Sequence, residues 1–482
     1  MFDTPSTIRP KDGSQHTNPY AKHGSTTWQT PIFDETLIHK YNRQGPRYTS
    51  YPTALEFTPI ADGVEAQILQ SRDERVPLSL YFHIPFCRHL CYYCGCNKII
   101  TKKNSDAGDY LDYLFREIKH KRALLKGNPV VEQVHFGGGT PTFLSDDELV
   151  QLWEFLRTQF TFAHDGDFGI EIDPRELRPT TLNTLKELGF NRLSFGVQDL
   201  EEKVQIAVNR VQSEALIQQV MDEARRLGFG SINIDLIYGL PHQTPATLAS
   251  TVARIADMRP ERLSVFNYAH LPERFKAQRR IDDADLPSPS DKLTMLSDTI
   301  TALGQAGYQY IGIDHFALAH DTLAQAQANG ELHRNFQGYT TLGHLDLLGF
   351  GVSSISQIGK HILQNHTELA TYQSMINAEQ LPAVKHIKST LVDELRGYVI
   401  MNLLCHDVMD FKDINHRYGI DPMTYFAKEL SELKVMADDK LLDIDAKGVQ
   451  VLPKGRLLGR NIAMVFDEYL AKKHQNRFSK VI

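Results

Sequence analysis

The chain has 482 residues, 41% of them hydrophobic, and carries 52 basic against 59 acidic residues for a net charge of −7. That length suits a large catalytic core plus an accessory domain, and the charge balance argues against a dedicated nucleic-acid or anionic-membrane protein. No basic, then apolar, leader opens the chain and no apolar run is long enough to span a bilayer, so the expectation is a cytoplasmic protein with no membrane span.

Residues 1–35, rich in Ser, Thr, Pro, His and Asn, read as a polar mobile tail. From about Tyr41 the chain becomes structured, with turn residues among aromatics in KYNRQGPRYTSYPT. A rhythm of short β-rich runs follows: LSLYFHI (78–84), VEQVHF (131–136), DFGIEID (167–173), RLSFGV (192–197), INIDLIYG (232–239) and RLSVFNYA (262–269). Between them lie segments with apolar residues at helical spacing, such as DDELVQLWEFLRTQF and EALIQQVMDEARRLG. Strand–helix alternation predicts parallel β/α units. The expected fold is α/β, an incomplete (β/α)6 barrel of TIM type, with its chemistry at the carboxyl ends of the strands.

Near residue 385 the pattern changes to helices followed by KLLDIDAKGVQVLPKG, which reads as a two-stranded wing, and RLLGRNIAMVFDEYLAKK, which reads as a last helix. The division expected is a tail at 1–35, a catalytic domain at 36–385 that opens with a segment at 36–75, and a mainly helical, winged-helix-like domain at 386–482. The 15 basic and 14 acidic residues from 386 onward leave too weak a positive footprint for DNA.

Five cysteines occur, and four fall within ten residues: Cys87, Cys91, Cys94 and Cys96. Such clustering suggests thiolates around a metal, not a disulfide framework. The spacing C-x3-C-x2-C of Cys87, Cys91 and Cys94 can hold three irons of a cubane and leave the fourth open for catalysis. Cys96 is the alternative fourth ligand of a closed cluster, although only Gly95 separates it from Cys94. Zinc, assisted by His83 or His89, is a third reading. Cys405 stands alone and reads as a buried apolar residue.

The segment YFHIPFCRHLCYYCGCNKI resembles the radical S-adenosylmethionine superfamily, and within it the oxygen-independent coproporphyrinogen III oxidase family of anaerobic haem synthesis. YNRQGPRYTSYPTALEF, HFGGGTPT, EIDPRE, FNRLSFGVQD, NIDLIYGLP, RLSVFNYAHLP, HRNFQGYTT and the closing FSKVI are similar to the same family. The resemblance runs from about residue 36 to the end.

It implies one [4Fe–4S] cluster with three cysteine ligands and two molecules of S-adenosylmethionine. The first would contact Tyr81, Gly138, Glu171 and Ile355. The second would contact Tyr93, Gly139, Thr140, Gln198, Arg210 and Asp235, with Ala269 close by. At Tyr93 the family more commonly has Phe. Read alone, Glu171 is equally a solvated strand position, and Arg210 a surface partner of Glu202 or Asp199. Asp235, between Ile234 and Leu236, is costly to bury without partners. The implied reaction turns two propionates of coproporphyrinogen III into vinyls through a 5′-deoxyadenosyl radical. Arg43, Arg47 and Lys98 are candidates for the substrate carboxylates. An electron donor, an electron acceptor and a monomeric state complete the expectation. The rivals are a haem chaperone and a tetrapyrrole-modifying relative.

Overall fold

The computed structural model describes residues 30–470. Most of the polar tail and the closing FSKVI therefore lie outside the described residues. The chain forms two compact units. The larger comprises residues 57–306 and 345–388, and the smaller comprises residues to 56, 307–344 and 389 onward.

In the larger unit six strands alternate with helices. Strand β1 (Leu78–Ile84) is followed by α1 (Ser105–Leu124), β2 (Val130–Gly138) by α2 (Asp146–Gln159), and β3 (Thr161–Ile172) by α3 (Thr181–Leu188). Then come β4 (Arg192–Gln198), α4 (Glu214–Arg226), β5 (Ser231–Tyr238), α5 (Pro245–Asp257), β6 (Arg262–Asn267) and α6 (Pro289–Gln305). Neighbouring strands pair in parallel from β1 through β6 in chain order.

Local sequence sets these boundaries. Ser145 and Glu148 form a capping box at the start of α2, Thr244 and Thr247 do so for α5, and Ser288 and Asp291 for α6. Helix α3 ends at Gly189, whose φ of +97° closes the last turn.

Alternation along the strands separates two faces. On β4, Leu193, Phe195 and Val197 are buried while Ser194, Gly196 and Gln198 are less so. The apolar faces pack against the helices. Phe82, Phe136 and Phe190 make successive edge-to-face contacts, and Trp153 of α2 meets Phe136 and Phe190. The opposite face carries Tyr81, Glu171, Ser194, Gly196 and Asp235.

The sheet continues beyond what the six runs predict. Strand β7 (Asp346–Phe350) pairs in parallel with β1, and antiparallel β8 (Ile355–Ile358), β9 (His361–Asn365) and β10 (Ala383–Lys388) follow it. Behind β1 and β7, Lys121 is fully buried. Its Nζ lies 2.8 Å from Glu117 Oε1 and 3.3 Å from Glu65 Oε1, and it donates to the Gly349 carbonyl at 3.0 Å.

The smaller unit joins three separate stretches of chain around one core. Tyr41, Tyr48 and Tyr51 pack in the same cluster as Leu395, Val399, Leu403, Leu433 and Ile462. The linear division at 36–385 and 386–482 follows the chain; the contacts instead bring residues up to 56 and 307–344 together with the carboxyl-terminal stretch. Helix α7 (Leu391–His406) lies at its centre, with Cys405 buried as expected and its thiol pushed up to about 12 by burial. The wing pairs Leu442–Ile444 with Gly448–Val451, and a third strand, Val408–Asp410, joins it. The last helix is much shorter than its sequence pattern predicts. Of the described residues in that segment, only Gly459–Met464 is α-helical, because the preceding Arg456–Leu458 winds as a tighter turn and Phe466 closes back onto Ala463. No helix among the described residues is long and apolar enough to cross a membrane.

Lys121→Met would leave Glu117 and Glu65 buried without their cation. A loss of about 3–5 kcal/mol in unfolding free energy is expected, measurable by urea denaturation. A loss below about 1 kcal/mol would show that the network is not needed for stability.

Candidate active site

The loop bearing the four clustered cysteines leaves β1 and is pinned at its base by backbone hydrogen bonds. The Ile84 and Phe86 carbonyls accept from Gly139 N at 2.9 Å and Thr140 N at 2.8 Å. The intervening Pro85 and Cys87 carbonyls accept from Ile99 N at 2.7 Å and Thr101 N at 3.0 Å. Such close approach explains the glycine at 139, where an added Cβ would sit 2.6 Å from the Pro85 oxygen. Gly138 has a φ of +120°, and a Cβ there would strike the His83 ring. On its far side the loop is tied to the turn before Arg210. Tyr92 N donates to the Val208 carbonyl at 3.0 Å, and Asn209 Nδ2 to the Leu90 carbonyl at 2.8 Å.

Cys87, Cys91, Cys94 and Cys96 line one cavity of about 180 Å3. Its wall includes the carboxyl ends of β2 to β5: Gly138 to Thr140, Glu171 to Asp173, Ser194, Gly196, Gln198 and Asp235, together with Arg175 and Arg210. Tyr93 and Lys98 line it from the loop itself. Among the described residues no three His, Cys, Asp or Glu side chains converge as ligands of a single ion. Thiols arrayed around a cavity suit a polynuclear cluster, whose corners are separate irons. His83 is hydrogen-bonded through Nε2 to the Asn97 carbonyl and through Nδ1 to Tyr81, and His89 pairs with Glu176.

Each sulfur has its own electrostatic setting. Cys91 Sγ receives hydrogen bonds from Arg175 Nη2 at 3.7 Å and Arg210 Nη1 at 3.5 Å. Cys87 Sγ accepts from the Thr140 hydroxyl at 3.5 Å, and burial pushes its thiol up to about 11. Cys94 is drawn down to about 6, mainly by its hydrogen bond with Cys96 and helped by Lys98. Lys98 Nζ donates to the Cys94 carbonyl at 2.9 Å, so it braces the loop.

The carboxylates differ as well. Arg210, which the sequence could equally have paired with Glu202 or Asp199, instead bonds Asp173 at 3.0 Å and the Gly196 carbonyl at 3.0 Å through Nε. Arg175 holds the same Asp173 at 2.6 Å. Burial would raise the Asp173 carboxyl, but the two guanidiniums hold it below the usual range. The Glu171 side chain is 44% exposed but engaged by the protein. It accepts from Gly138 N at 3.2 Å and faces His135 Nε2 at 3.3 Å, which together outweigh burial and keep it ionised. Asp235 accepts from Asn233 Nδ2 at 2.8 Å, yet burial dominates and pushes it up to about 6.

Three candidates are not among the residues that line the cavity. Tyr81 stacks on His135, the Ile355 backbone presses against Gly349, and Ala269 shares the donor Gln278 Nε2 with the Tyr93 carbonyl. Gln198 adopts a left-handed φ of +71° at the end of β4. Arg43 is exposed and Arg47 pairs with Asp314, both within the smaller unit. Sequence reasoning missed Asp173 and Arg175, although the period of two that placed Glu171 on the inner face also carries to Asp173.

A parallel β/α framework with a three-cysteine loop at its carboxyl edge is that of a radical S-adenosylmethionine protein, and the Radical SAM superfamily matches residues 81–255. The HemN C-terminal domain matches residues 390–458. The oxygen-independent coproporphyrinogen III oxidases of Pseudomonas aeruginosa and Escherichia coli are each 51% identical to this chain, covering 93% of it and 99% and 98% of their own lengths. The solved coproporphyrinogen III oxidase (HemN) from Escherichia coli, described as a radical SAM enzyme, superposes with a TM-score of 0.88 at 49% identity, over 92% of this chain and 100% of that one. The chain belongs to the oxygen-independent coproporphyrinogen III oxidase family.

The raised Asp235 carboxyl makes stability pH-dependent. Its folded value of about 6 lies above the ordinary 3.8, so the folded chain binds the extra proton between those values. Stability contributed there falls as pH rises, and the full cost, on the order of 3 kcal/mol, is present above about pH 7. Asp235→Asn removes that slope. Its thermal midpoint relative to the parent should climb between about pH 4 and about pH 7; a flat difference across that window would contradict the assignment.

Proposed function

We propose that this chain oxidatively decarboxylates coproporphyrinogen III to protoporphyrinogen IX without oxygen, turning two propionates into vinyls. The observation that carries the reading is the single cavity in which the cysteine loop faces the carboxyl ends of β2 to β5, in a chain half identical along its length to enzymes of that name.

Cys87, Cys91 and Cys94 would hold one [4Fe–4S] cluster, leaving one iron without a protein ligand, and Cys96 would stand beside it. When bound, that cluster supplies the electron that cleaves S-adenosylmethionine to a 5′-deoxyadenosyl radical. The chain's own residues do the rest. Arg175 and Arg210 bring positive charge and hydrogen-bond donors to the Cys91 sulfur. The first S-adenosylmethionine would rest against Tyr81, Gly138, Glu171 and Ile355, where the ionised Glu171 can accept from an ammonium or a ribose hydroxyl. The second would meet Tyr93, Gly139, Thr140, Gln198, Arg210, Asp235 and Ala269. There Asp173 fixes the guanidinium of Arg210, so that its plane is already oriented before a ligand carboxylate arrives. Tyr93 keeps the aromatic face that adenine stacking requires. The cavity walls hold reactants in place and keep water and oxygen from the radical.

The domain assignment follows. The larger unit is the catalytic domain, an incomplete (β/α)6 barrel. The helices and three-stranded sheet of the smaller unit form a winged-helix-like module with no role in nucleic-acid binding. Electrons come from a separate donor and leave to a separate acceptor.

Anaerobic, cluster-reconstituted protein supplied with coproporphyrinogen III, S-adenosylmethionine, a reductant and an electron acceptor should yield vinyl-bearing porphyrin and 5′-deoxyadenosine. In Cys91→Ser both products should fall by at least 100-fold, at an estimated ΔΔG‡ of about 3 kcal/mol, with loss of iron and sulfide from the protein. Deoxyadenosine without decarboxylated porphyrin would leave the radical chemistry and sink the substrate assignment.

A further inference from the structure

Asp173 and Arg175, which follow β3, form a fixed pair beside the cysteine loop. Asp173 Oδ1 accepts from Arg175 N at 3.1 Å and from its Nε at 3.0 Å, while Oδ2 accepts from Nη2 at 2.6 Å. Pro174 stands between them at the start of a short turn, Pro174–Glu176. The fork of Arg175 is thus locked by the carboxylate two residues before it, and its side chain is only 13% exposed. Nη2 is held 3.7 Å from Cys91 Sγ, which also receives Arg210 Nη1 at 3.5 Å.

Two guanidiniums share the one carboxylate of Asp173, so a net positive charge remains beside Cys91. Glu176 does not cancel it, being turned to Arg88 at 3.0 Å and His89 at 3.1 Å. Cys87, by contrast, accepts from the neutral hydroxyl of Thr140. Without Arg175, the charges of Arg210 and Asp173 would balance.

We propose that Arg175, held by Asp173, is a positioning residue that raises the reduction potential of the cluster through the Cys91 sulfur. This rests on the reading in which Cys87, Cys91 and Cys94 carry a [4Fe–4S] cluster. Reduction moves one electron from an external donor into the cluster, takes it from the 2+ to the 1+ state, and needs no proton and no bond change. The added negative charge is stabilised by a cation and an N–H donor fixed against a ligand sulfur. Because Asp173 already fixes the fork, nothing has to rearrange when the electron arrives. Arg175 stands apart from the residues assigned to either S-adenosylmethionine, so its effect is on the electron and not on cofactor binding.

The test is an anaerobic redox titration of the full-length, cluster-reconstituted chain without S-adenosylmethionine, followed by the electron paramagnetic resonance signal of the reduced cluster. Arg175→Met, which keeps the stem and removes charge and donors, should make reduction about tenfold less favourable, a midpoint about 59 mV more negative for one electron. Arg175→Lys, which keeps charge but not the fork, should recover part of the shift. Arg178→Met is the control. Arg178 lies in the same stretch but bonds Asp146 and the Leu144 carbonyl, and its loss should leave the midpoint at the parental value. A parental midpoint in Arg175→Met, at parental iron and sulfide content, overturns the proposal. So does an equal shift in Arg178→Met, since that marks a general loss of charge. If Arg175→Met does not retain its iron and sulfide, Arg175→Gln is titrated in its place, and a parental midpoint there overturns the proposal. A parent chain that takes up no iron and sulfide at all removes the cluster reading, and this proposal with it.

Discussion

Four consecutive carbonyls, from Ile84 to Cys87, set the geometry on which the site depends. They point alternately to two sides as the chain leaves β1. One pair is taken by the backbone of Gly139 and Thr140 and the other by Ile99 and Thr101. The cysteine loop is thus clamped at both ends of its base, and the glycine turn after β2 is held in the same motion. No side chain larger than hydrogen fits at residue 139. The spacing between the thiols and the strand ends is therefore a backbone property, insulated from side-chain mobility.

Upon that frame the electrostatics divide the acids by task. Asp173 sits between two guanidiniums and stays ionised; Asp235, bonded to an amide, is pushed up by burial. Glu171 lies between these cases, kept charged by a backbone N–H and an imidazole. Three carboxyls thus meet the same cavity with different partners, and those partners set the direction in which each is shifted. Arg210 links two of the systems, touching both Asp173 and the sulfur of Cys91.

Much of this was legible in the residues. The six parallel strands fall where the β-rich runs predict, and LSLYFHI matches its strand from end to end. Illegible were β7 to β10, short strands after a long interval whose pairing depends on where β1 already lies. Asp173 and Arg175 escaped notice because a charged pair after a strand resembles an ordinary turn until Arg210 arrives from another segment. The length of the last helix was misjudged because its apolar spacing continues past the point where Phe466 turns back.

The sequence by itself determined the chemistry available: three thiols at cluster spacing, glycines where the backbone must pass closely, and a period-two face of polar residues on successive strands. These are local properties, fixed by spacing and steric bulk, and they survive translation into any frame that keeps the strands parallel. Only the tertiary structure decided which charges neutralise one another. Arg210 found Asp173 rather than its sequence neighbours, and the tyrosines before residue 52 joined a core whose other half begins beyond residue 388. Such pairings are set by which surfaces exclude water together, and distance along the chain carries no information about that.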